Sequence, residues 1–419
     1  MKKTRNLKFL VPALLAALVL AFAGCDNGSS VEEENDTPVA TETPKEAEPE
    51  AEDKKEEEAA AEEEEPAAEE EEVETRVAFN EPLTIEFTED GNLLIMNPLA
   101  TLKYSKNGGD LTSVTITNEA DKQAEIQVAK NDKFCFYAVT TNYEISQEED
   151  IEYCMMIKSD VSCYVYGNIM SLVSLNEKTG EWNPNATELK EGAFAALFFD
   201  NAYMENHPSK PLYLPATSLA KYCYAFMFRS CEKIKNSPEL PAMTLAEGCY
   251  TNMFNSCYSL TAAPKLPANN LEERCYMSMF EDCKSLTKAP VLNATKLAEG
   301  CYGYMFEDCT TLTSAPDLPA TELVSNCYIG MFKKCTELTT SPVLKAKKLE
   351  MACYYNLFSG CTKLNKITCL ATDISGDICL ENWVENIAET GTFIKAADMT
   401  GWPTGSNGIP TGWTTQDAE

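Results

Sequence analysis

The chain has 419 residues, of which 18 are cysteine and one is histidine, and its formal net charge is −32. This acidic balance opposes nucleic-acid binding, and no basic patch of the kind that such binding requires is present. Because His207 is the single histidine and no Cys-x-x-Cys pair occurs, we expect no enzyme, no metal site and no cofactor.

Residues 1–24 predict a secretory signal peptide. Basic residues precede an apolar run from Phe9 to Phe22, and Ala23-Gly24 stand immediately before Cys25. The run of about 14 apolar residues is shorter than the roughly 20 that a membrane-spanning helix needs. The ending is similar to the bacterial lipobox, which implies that Cys25 is acylated and anchors the chain to a membrane of the bacterial cell envelope.

Residues 25–76 predict a lipidated start followed by a disordered acidic linker rich in Glu, Ala and Pro. Between Val31 and Arg76 there are 22 acidic and 4 basic residues, so the segment repels itself and cannot bury apolar surface. Two interpretations stay open, a tether that holds the folded part away from the membrane and a simple solubility spacer. The tether interpretation favours the outer-membrane surface.

Residues 77–165 predict strands without intervening helices. Runs such as PLTIEFTED and GNLLIMNP alternate or are rich in β-formers, and Asn107-Gly108-Gly109 is a strong hairpin signal. We therefore predict a small β-sandwich-like domain. It is either a second binding module or a cap fused to the segment that follows.

Residues 166–368 contain one motif six times, Cys-Tyr-x-x-(Met/Leu)-Phe-x-x-Cys, with a fixed period of 26 residues. Such a period indicates stacked supersecondary units that bury their apolar faces against each other, which is a solenoid. A degenerate copy around Phe194 comes before the six repeats. The first cysteines of the repeats are Cys223, Cys249, Cys275, Cys301, Cys327 and Cys353.

The repeat predicts a short helix and a strand in every coil. On a helical projection Cys249, Tyr250 and Phe254 fall on one apolar arc, and the extended segment after Cys257 supplies the strand. The predicted fold is thus α+β, a leucine-rich-repeat solenoid with a strand and a short helix per coil. Residues 369–419 abandon the motif and are rich in tryptophan, so we predict a C-terminal cap there.

The cysteines are interpreted mainly as buried apolar side chains. Two cysteines eight residues apart on one helix are too far apart for a disulfide, whose α-carbons lie within roughly 7 Å. Outside the repeats, Cys154 with Cys163 and Cys369 with Cys379 are candidates for bonded pairs.

The units CYTNMFNSCYSLTAAPKLPA and CYGYMFEDCTTLTSAPDLPA resemble the BspA-like class of bacterial surface leucine-rich repeats. The likeness extends over roughly residues 80 to 415, including flanking strings such as YLPATSLA and GIPTGW. It implies a secreted or surface protein with a binding role, in some members adhesion to host or bacterial proteins. The copies depart from the commonest leucine-rich-repeat strand, because a proline follows the second strand position.

Positions that vary between the copies are candidates for ligand contact, since the core positions repeat. We favour the strand face, where Val291 and Val343 also vary, because solenoids bind through extended sheets. A second variable set, predicted on the outer helix face, comprises Phe226, Asn252, Ser278, Tyr304, Gly330 and Asn356. The candidate binding residues on the strand face are Asn236, Glu239, Lys265, Lys288, Ser314, Asp317, Thr340 and Lys366.

The sequence leaves three functions open. The first is a surface-exposed lipoprotein that recognises or adheres to a protein or peptide of a host or neighbouring bacterium, since few aromatic residues occupy the strand set. The second is a glycan-binding or glycan-handling envelope lipoprotein, with Glu281 and Glu307 as hydrolytic carboxylates. These two glutamates are predicted on the solvated face, which argues against that role. The third is a structural envelope spacer.

Overall fold

The computed structural model describes residues 79–99, 101–118, 122–139 and 153–419, all of which belong to one compact unit. The predicted signal peptide, Cys25 and the acidic linker lie outside the described residues. Within the described residues, no helix is both long enough and apolar enough to cross a membrane.

The first part of the described chain forms two sheets. Its strands are β1 (Thr84–Phe87), β2 (Gly91–Met96), β3 (Lys103–Lys106), β4 (Thr112–Ser113), β5 (Gln123–Val128), β6 (Lys133–Tyr137), β7 (Met156–Ser159), β8 (Cys163–Asn168), β9 (Met204–Asn206) and β10 (Leu212–Tyr213). A seven-stranded sheet has the order β10-β8-β1-β6-β3-β4, with β9 also paired to β8, and a three-stranded antiparallel sheet has the order β5-β2-β7.

The predicted hairpin turn is present between β3 and β4. Asn107 and Gly108 both have a positive φ, 54 and 74 degrees, and the N–H of Gly109 donates to the carbonyl oxygen of Lys106 at 3.0 Å. A turn with two left-handed residues matches the twist of antiparallel strands, which explains why Asn-Gly occurs there.

The seven-stranded sheet joins the β-rich part to the repeats. Strand β8 pairs antiparallel with β1 on one edge, and it pairs parallel with β9 and β10, which lie in the degenerate first copy of the repeat. The change from antiparallel to parallel pairing therefore occurs at β8. From there on the described strands pair in parallel, which is compatible with a solenoid.

Each coil contains a run of turns where the sequence predicted a helix. Gly248, Asn252 and Ser256 have φ values of 58, 55 and 59 degrees, and a left-handed residue at every fourth position is incompatible with an α-helix. The predicted helix per coil and the α+β class are therefore corrected. The described residues are mostly strands and turns, with one 3₁₀-helix at Ile169–Leu172 and almost no other helix.

We call this run of turns the turn spiral, and its hydrogen bonds explain why it replaces a helix. The N–H of Cys249 donates to the carbonyl of Ala246 in the same coil at 3.2 Å, whereas the N–H of Tyr250 donates to the carbonyl of Cys275 in the next coil at 3.0 Å. N–H groups alternate in this way along the spiral. An α-helix would satisfy its N–H groups internally and leave none to join the coils.

The turn spiral occurs eight times in the described residues, one more than the six repeats and the degenerate first copy that the sequence indicated. The last copy lies inside the predicted cap, where Cys379-Leu380 and Trp383-Val384 take the places of Cys-Tyr and Met-Phe. The first residue of each spiral has a positive φ, and these residues are Gly192, Tyr222, Gly248, Arg274, Gly300, Asn326, Ala352 and Ile378.

The strand side of the coils is regular only at its C-terminal end. A four-stranded parallel sheet comprises β11 (Thr340–Leu344), β12 (Lys366–Cys369), β13 (Thr392–Lys395) and β14 (Thr414–Asp417). Earlier coils are joined there by isolated bridges, for example Leu266 to Leu292.

Prolines explain this difference between early and late coils. Pro264, Pro290 and their equivalents lack the N–H that a ladder needs, whereas β12 to β14 contain no proline. Strand β11 contains Pro342, and its register against β12 shifts between Thr340 and Val343. The proline of each repeat therefore limits how far the strands of neighbouring coils can pair.

Two aromatic ladders fill the space inside the turn spirals. Tyr224 stacks on Tyr250 with ring centroids 5.8 Å apart, and Phe228 stacks on Phe254 at 5.4 Å. The tyrosine and phenylalanine ladders continue coil by coil and both end on the fully buried Trp383. Each of the six repeats contributes one Tyr ring to the first ladder and one Phe ring to the second. Because each ring stacks on the same ring of the next coil, Tyr and Phe recur with the 26-residue period.

None of the 17 described cysteines forms a disulfide, and the repeat cysteines are fully buried. The pairs Cys154 with Cys163 and Cys369 with Cys379, which the sequence offered as candidates for disulfides, are not bonded in the structure. Cys154 packs in a small cluster with Ala195, apart from the main core that contains Cys163, and this separates the first pair.

Candidate recognition surface

The strand side of the coils presents every predicted binding residue to solvent. In each repeat the recurring apolar side chains are buried, and the candidate residues between them along the chain are exposed. In the third repeat, for example, Leu286 and Leu292 are buried, whereas Lys288 and Val291 are exposed. The exposed residues of this face are Asn236, Glu239, Lys265, Lys288, Ser314, Asp317, Thr340 and Lys366.

A shallow depression of about 190 Å³ lies on this face between the third and fourth repeats. Its lining brings together three of the predicted residues, Lys288, Ser314 and Asp317. Pro290 and Pro316 also line it, and they have no N–H to offer a ligand. Opposite charges beside apolar rings suit a polypeptide better than a purely polar ligand.

Two exposed lysines of this face, Lys235 and Lys345, were not among the sequence-derived candidates. Each directly follows a buried residue, Ile234 before Lys235 and Leu344 before Lys345. For Lys345 the available signal was the period of two that also exposes Val343 on the other side of Leu344.

Two exposed apolar side chains lie among the charged residues of this face. Val291 is 72% exposed and Val343 is 41% exposed. Both vary between the copies, as the sequence indicated. An apolar side chain left this open at a variable position is available to contact a ligand.

The second variable set does not form a solvent face. Phe226, Asn252 and Ser278 are 2%, 6% and 4% exposed, because the turn spirals of successive coils cover one another at this position. Asn252 accepts a hydrogen bond from the side-chain amide of Asn255 at 3.1 Å. The predicted outer helix face is therefore corrected to a mostly buried column.

Glu281 and Glu307 lie beside this column and are not on the solvated face that the sequence predicted. Burial raises the pKa of Glu281 to about 7, and the nearby carboxylate of Glu307 adds to the shift. Glu307 is instead ion-paired with Lys333 at 2.7 Å. Neither glutamate lines the two surface depressions described for this chain.

His207 lies in the first coil, between β9 and β10, and its ring packs against β8. Its ring makes edge contacts with Tyr164 and Tyr166, and its Nδ1 accepts backbone N–H groups from Ser209 and Lys210 at 3.2 and 3.0 Å. Burial lowers the pKa of His207. These contacts give the single histidine a structural role in shaping the turn that follows it.

The part of the chain that the structure describes contains no group of three or more His, Cys, Asp or Glu side chains that could hold a metal ion. A second depression, of about 290 Å³, is lined by Thr187, Glu188, Thr217 and Ser218 among others. Comparisons of the chain with protein-family models, curated proteins and solved structures returned no match.

Proposed function

We propose that this protein is a surface-exposed bacterial lipoprotein that recognises or adheres to a protein through the strand side of its coils, without chemistry of its own. One observation carries the proposal. The coils repeat their buried side chains, while the exposed positions of the strand side differ from coil to coil. A rigid scaffold with a variable exposed face is the arrangement that repeat proteins use for binding.

The finer assignment, a BspA-like leucine-rich-repeat protein, is part of the same proposal. It is supported by the resemblance of the repeat and by the parallel pairing of β11 to β14. In each coil of this protein the turn spiral occupies the position of the helix that the leucine-rich-repeat resemblance implied. Lipid attachment at Cys25 and an outer-membrane location are supported by the signal sequence and the acidic linker.

The location is tested by protease treatment of intact producing cells. We expect fragments of the repeats in the supernatant and an acylated Cys25 fragment in the membrane. Release only after lysis would place the protein in the periplasm and contradict the surface proposal.

The binding role is tested with two matched charge variants of the full chain. Lys265→Glu combined with Lys366→Glu alters the strand side, and Lys130→Glu combined with Lys178→Glu makes the same change elsewhere. A protein ligand that the wild type and the second variant retain, and the first variant loses, supports the proposal. Glycan arrays are run in parallel with the same variants. The proposal would be overturned if a glycan, and no protein, bound the wild type and the second variant but not the first.

A further inference from the structure

The net charge of the strand side is positive, whereas the net charge of the whole chain is negative. The chain carries a net charge of −32, yet its six strand segments contain five lysines and only two acidic residues, Glu239 and Asp317. The segments are residues 235–242, 261–268, 287–294, 313–320, 339–346 and 365–371. All five lysines are exposed, and they are Lys235, Lys265, Lys288, Lys345 and Lys366.

None of these five lysines has an ion pair within the described residues. Elsewhere on the coils, by contrast, Lys334 pairs with Asp308 and Lys363 pairs with Glu337, both at 2.7 Å. In an acidic protein, carboxylates to neutralise a lysine are abundant. The strand side is thus left with uncompensated positive charge, which complements an anionic partner.

Apolar surface lies among these lysines. Val291 and Val343 are exposed, and Pro290 and Pro316 line the depression beside Lys288. A polyanion without apolar groups would leave this surface unused. An acidic polypeptide has both carboxylates for the lysines and apolar side chains for the valines.

We infer that the strand side binds an extended acidic peptide, with carboxylates at the lysines and apolar side chains on Val291 and Val343. The inference rests on the proposed recognition function and names its ligand class. From the first to the sixth repeat there are five intervals of about 4.8 Å, or about 24 Å, which an extended peptide of roughly seven or eight residues spans.

The test uses fluorescence anisotropy with the full chain and labelled octapeptides. An alternating Glu-Val peptide is expected to bind, more weakly as salt rises from about 50 to about 500 mM. A Lys-Val peptide is expected not to bind, and a Glu-Ser peptide to bind more weakly. Lys288→Glu combined with Lys345→Glu is expected to weaken Glu-Val binding about tenfold, a loss of about 1.4 kcal/mol.

Lys130→Glu combined with Lys178→Glu is the control, because it makes the same change in net charge at exposed lysines away from this face. Equal loss in both variants, or no Glu-Val binding, would overturn the inference. The inference would also be overturned if dextran sulfate bound equally well to the wild type and to Val291→Ser. The ligand class would then be polyanions in general and not acidic peptides. If a neutral or basic protein ligand depends on the same face, the acidic inference falls and the proposed function stands.

Discussion

The second cysteine of each repeat donates its thiol hydrogen to a phenylalanine carbonyl in the preceding coil. Cys257 donates to Phe228 at 3.0 Å and Cys309 donates to Phe280 at 3.0 Å, and both cysteines are fully buried. A disulfide would remove the donor hydrogen. At the scale of single residues, the repeat cysteine is therefore a small buried side chain that also links neighbouring coils.

This arrangement predicts that the folded protein resists thiol reagents. Burial raises the pKa of Cys249 to about 12, so almost no thiolate forms at neutral pH. In protein whose Cys25 is acylated, titration with a chromogenic disulfide should detect little beyond the half-buried Cys135 in the folded state, and the remaining thiols only in denaturant. Disulfide-linked peptides from the repeats in mass spectra would contradict this prediction.

Glu281 predicts a dependence of stability on pH. Its pKa is raised from 4.5 to about 7, so between these values the folded chain holds a proton that the unfolded chain releases. The stability from this group is present below pH 4.5 and is lost as the pH rises to about 7. Glu281→Gln cannot ionise and should be more stable than the wild type at about pH 8, by on the order of 1 to 3 kcal/mol.

Chemical denaturation at about pH 4 and about pH 8 checks this prediction. The control is Glu272→Gln, which removes an exposed carboxylate from the same repeat. If the free energies of unfolding of the wild type and Glu281→Gln differed by the same amount at both pH values, the pKa of Glu281 would not be raised.

At the scale of elements, the turn spiral requires a left-handed residue at every fourth position. Some copies place glycine there, whereas others hold side chains such as Tyr304 at a φ of 55 degrees. A non-glycine residue in this region costs roughly 1 to 2 kcal/mol. The 26-residue motif therefore tolerates local strain, which the ladders of the core offset.

Two glycine substitutions separate backbone strain from packing. Gly300 and Gly330 have φ values of 60 and 57 degrees, but a Cβ at Gly330 would overlap the ring of Tyr304, whereas at Gly300 its nearest neighbour is Cγ of Arg274 at 3.3 Å. Gly300→Ala should lower the free energy of unfolding by about 1 kcal/mol. Gly330→Ala should lower it by at least about 2 kcal/mol.

Urea denaturation of both variants measures the difference. Equal losses would mean that the ring of Tyr304 moves aside without cost, and that only the backbone resists the added methyl group.

The coils could be predicted from the sequence, but the turn spiral could not. The repeat shows two apolar and two polar residues in turn, as in Cys249-Tyr250 and Met253-Phe254, and this period of four lies close to the 3.6 of a helix. The distinguishing signal was Gly or Asn at every fourth position, as at Gly248 and Asn252. In other copies this signal is missing, because residues such as Arg274 occupy the left-handed position instead of Gly or Asn.

At the scale of the whole described unit, one apolar core runs from Leu83 to Trp413. The strand face could be predicted because its buried positions repeat from coil to coil, whereas its exposed positions vary. The burial of Glu281 could not, since it depends on how successive spirals cover each other. The sequence likewise does not show which lysines lack an ion pair, because an acidic partner can lie in an adjacent coil.

The two aromatic ladders end on Trp383, which makes this residue a test of how far disturbance spreads along the coils. Its ring stacks on Tyr354 and Trp402, and its Nε1 donates to the carbonyl of Gly408 at 2.9 Å. Trp383→Ala should cost about 3 to 5 kcal/mol by removing a fully buried side chain. Because each coil contacts only its neighbours, the loss should concentrate near the C-terminal end.

Hydrogen exchange followed by mass spectrometry measures that spread. In Trp383→Ala, amides of the spirals that begin at Asn326, Ala352 and Ile378 should exchange faster, while those of β1 should not change. Trp182→Ala, at a partly buried tryptophan near the other end, is the matched control and should give the reverse pattern. Uniform acceleration along the described chain would instead mean that the coils open as a single cooperative unit, so that nearest-neighbour packing alone does not describe their stability.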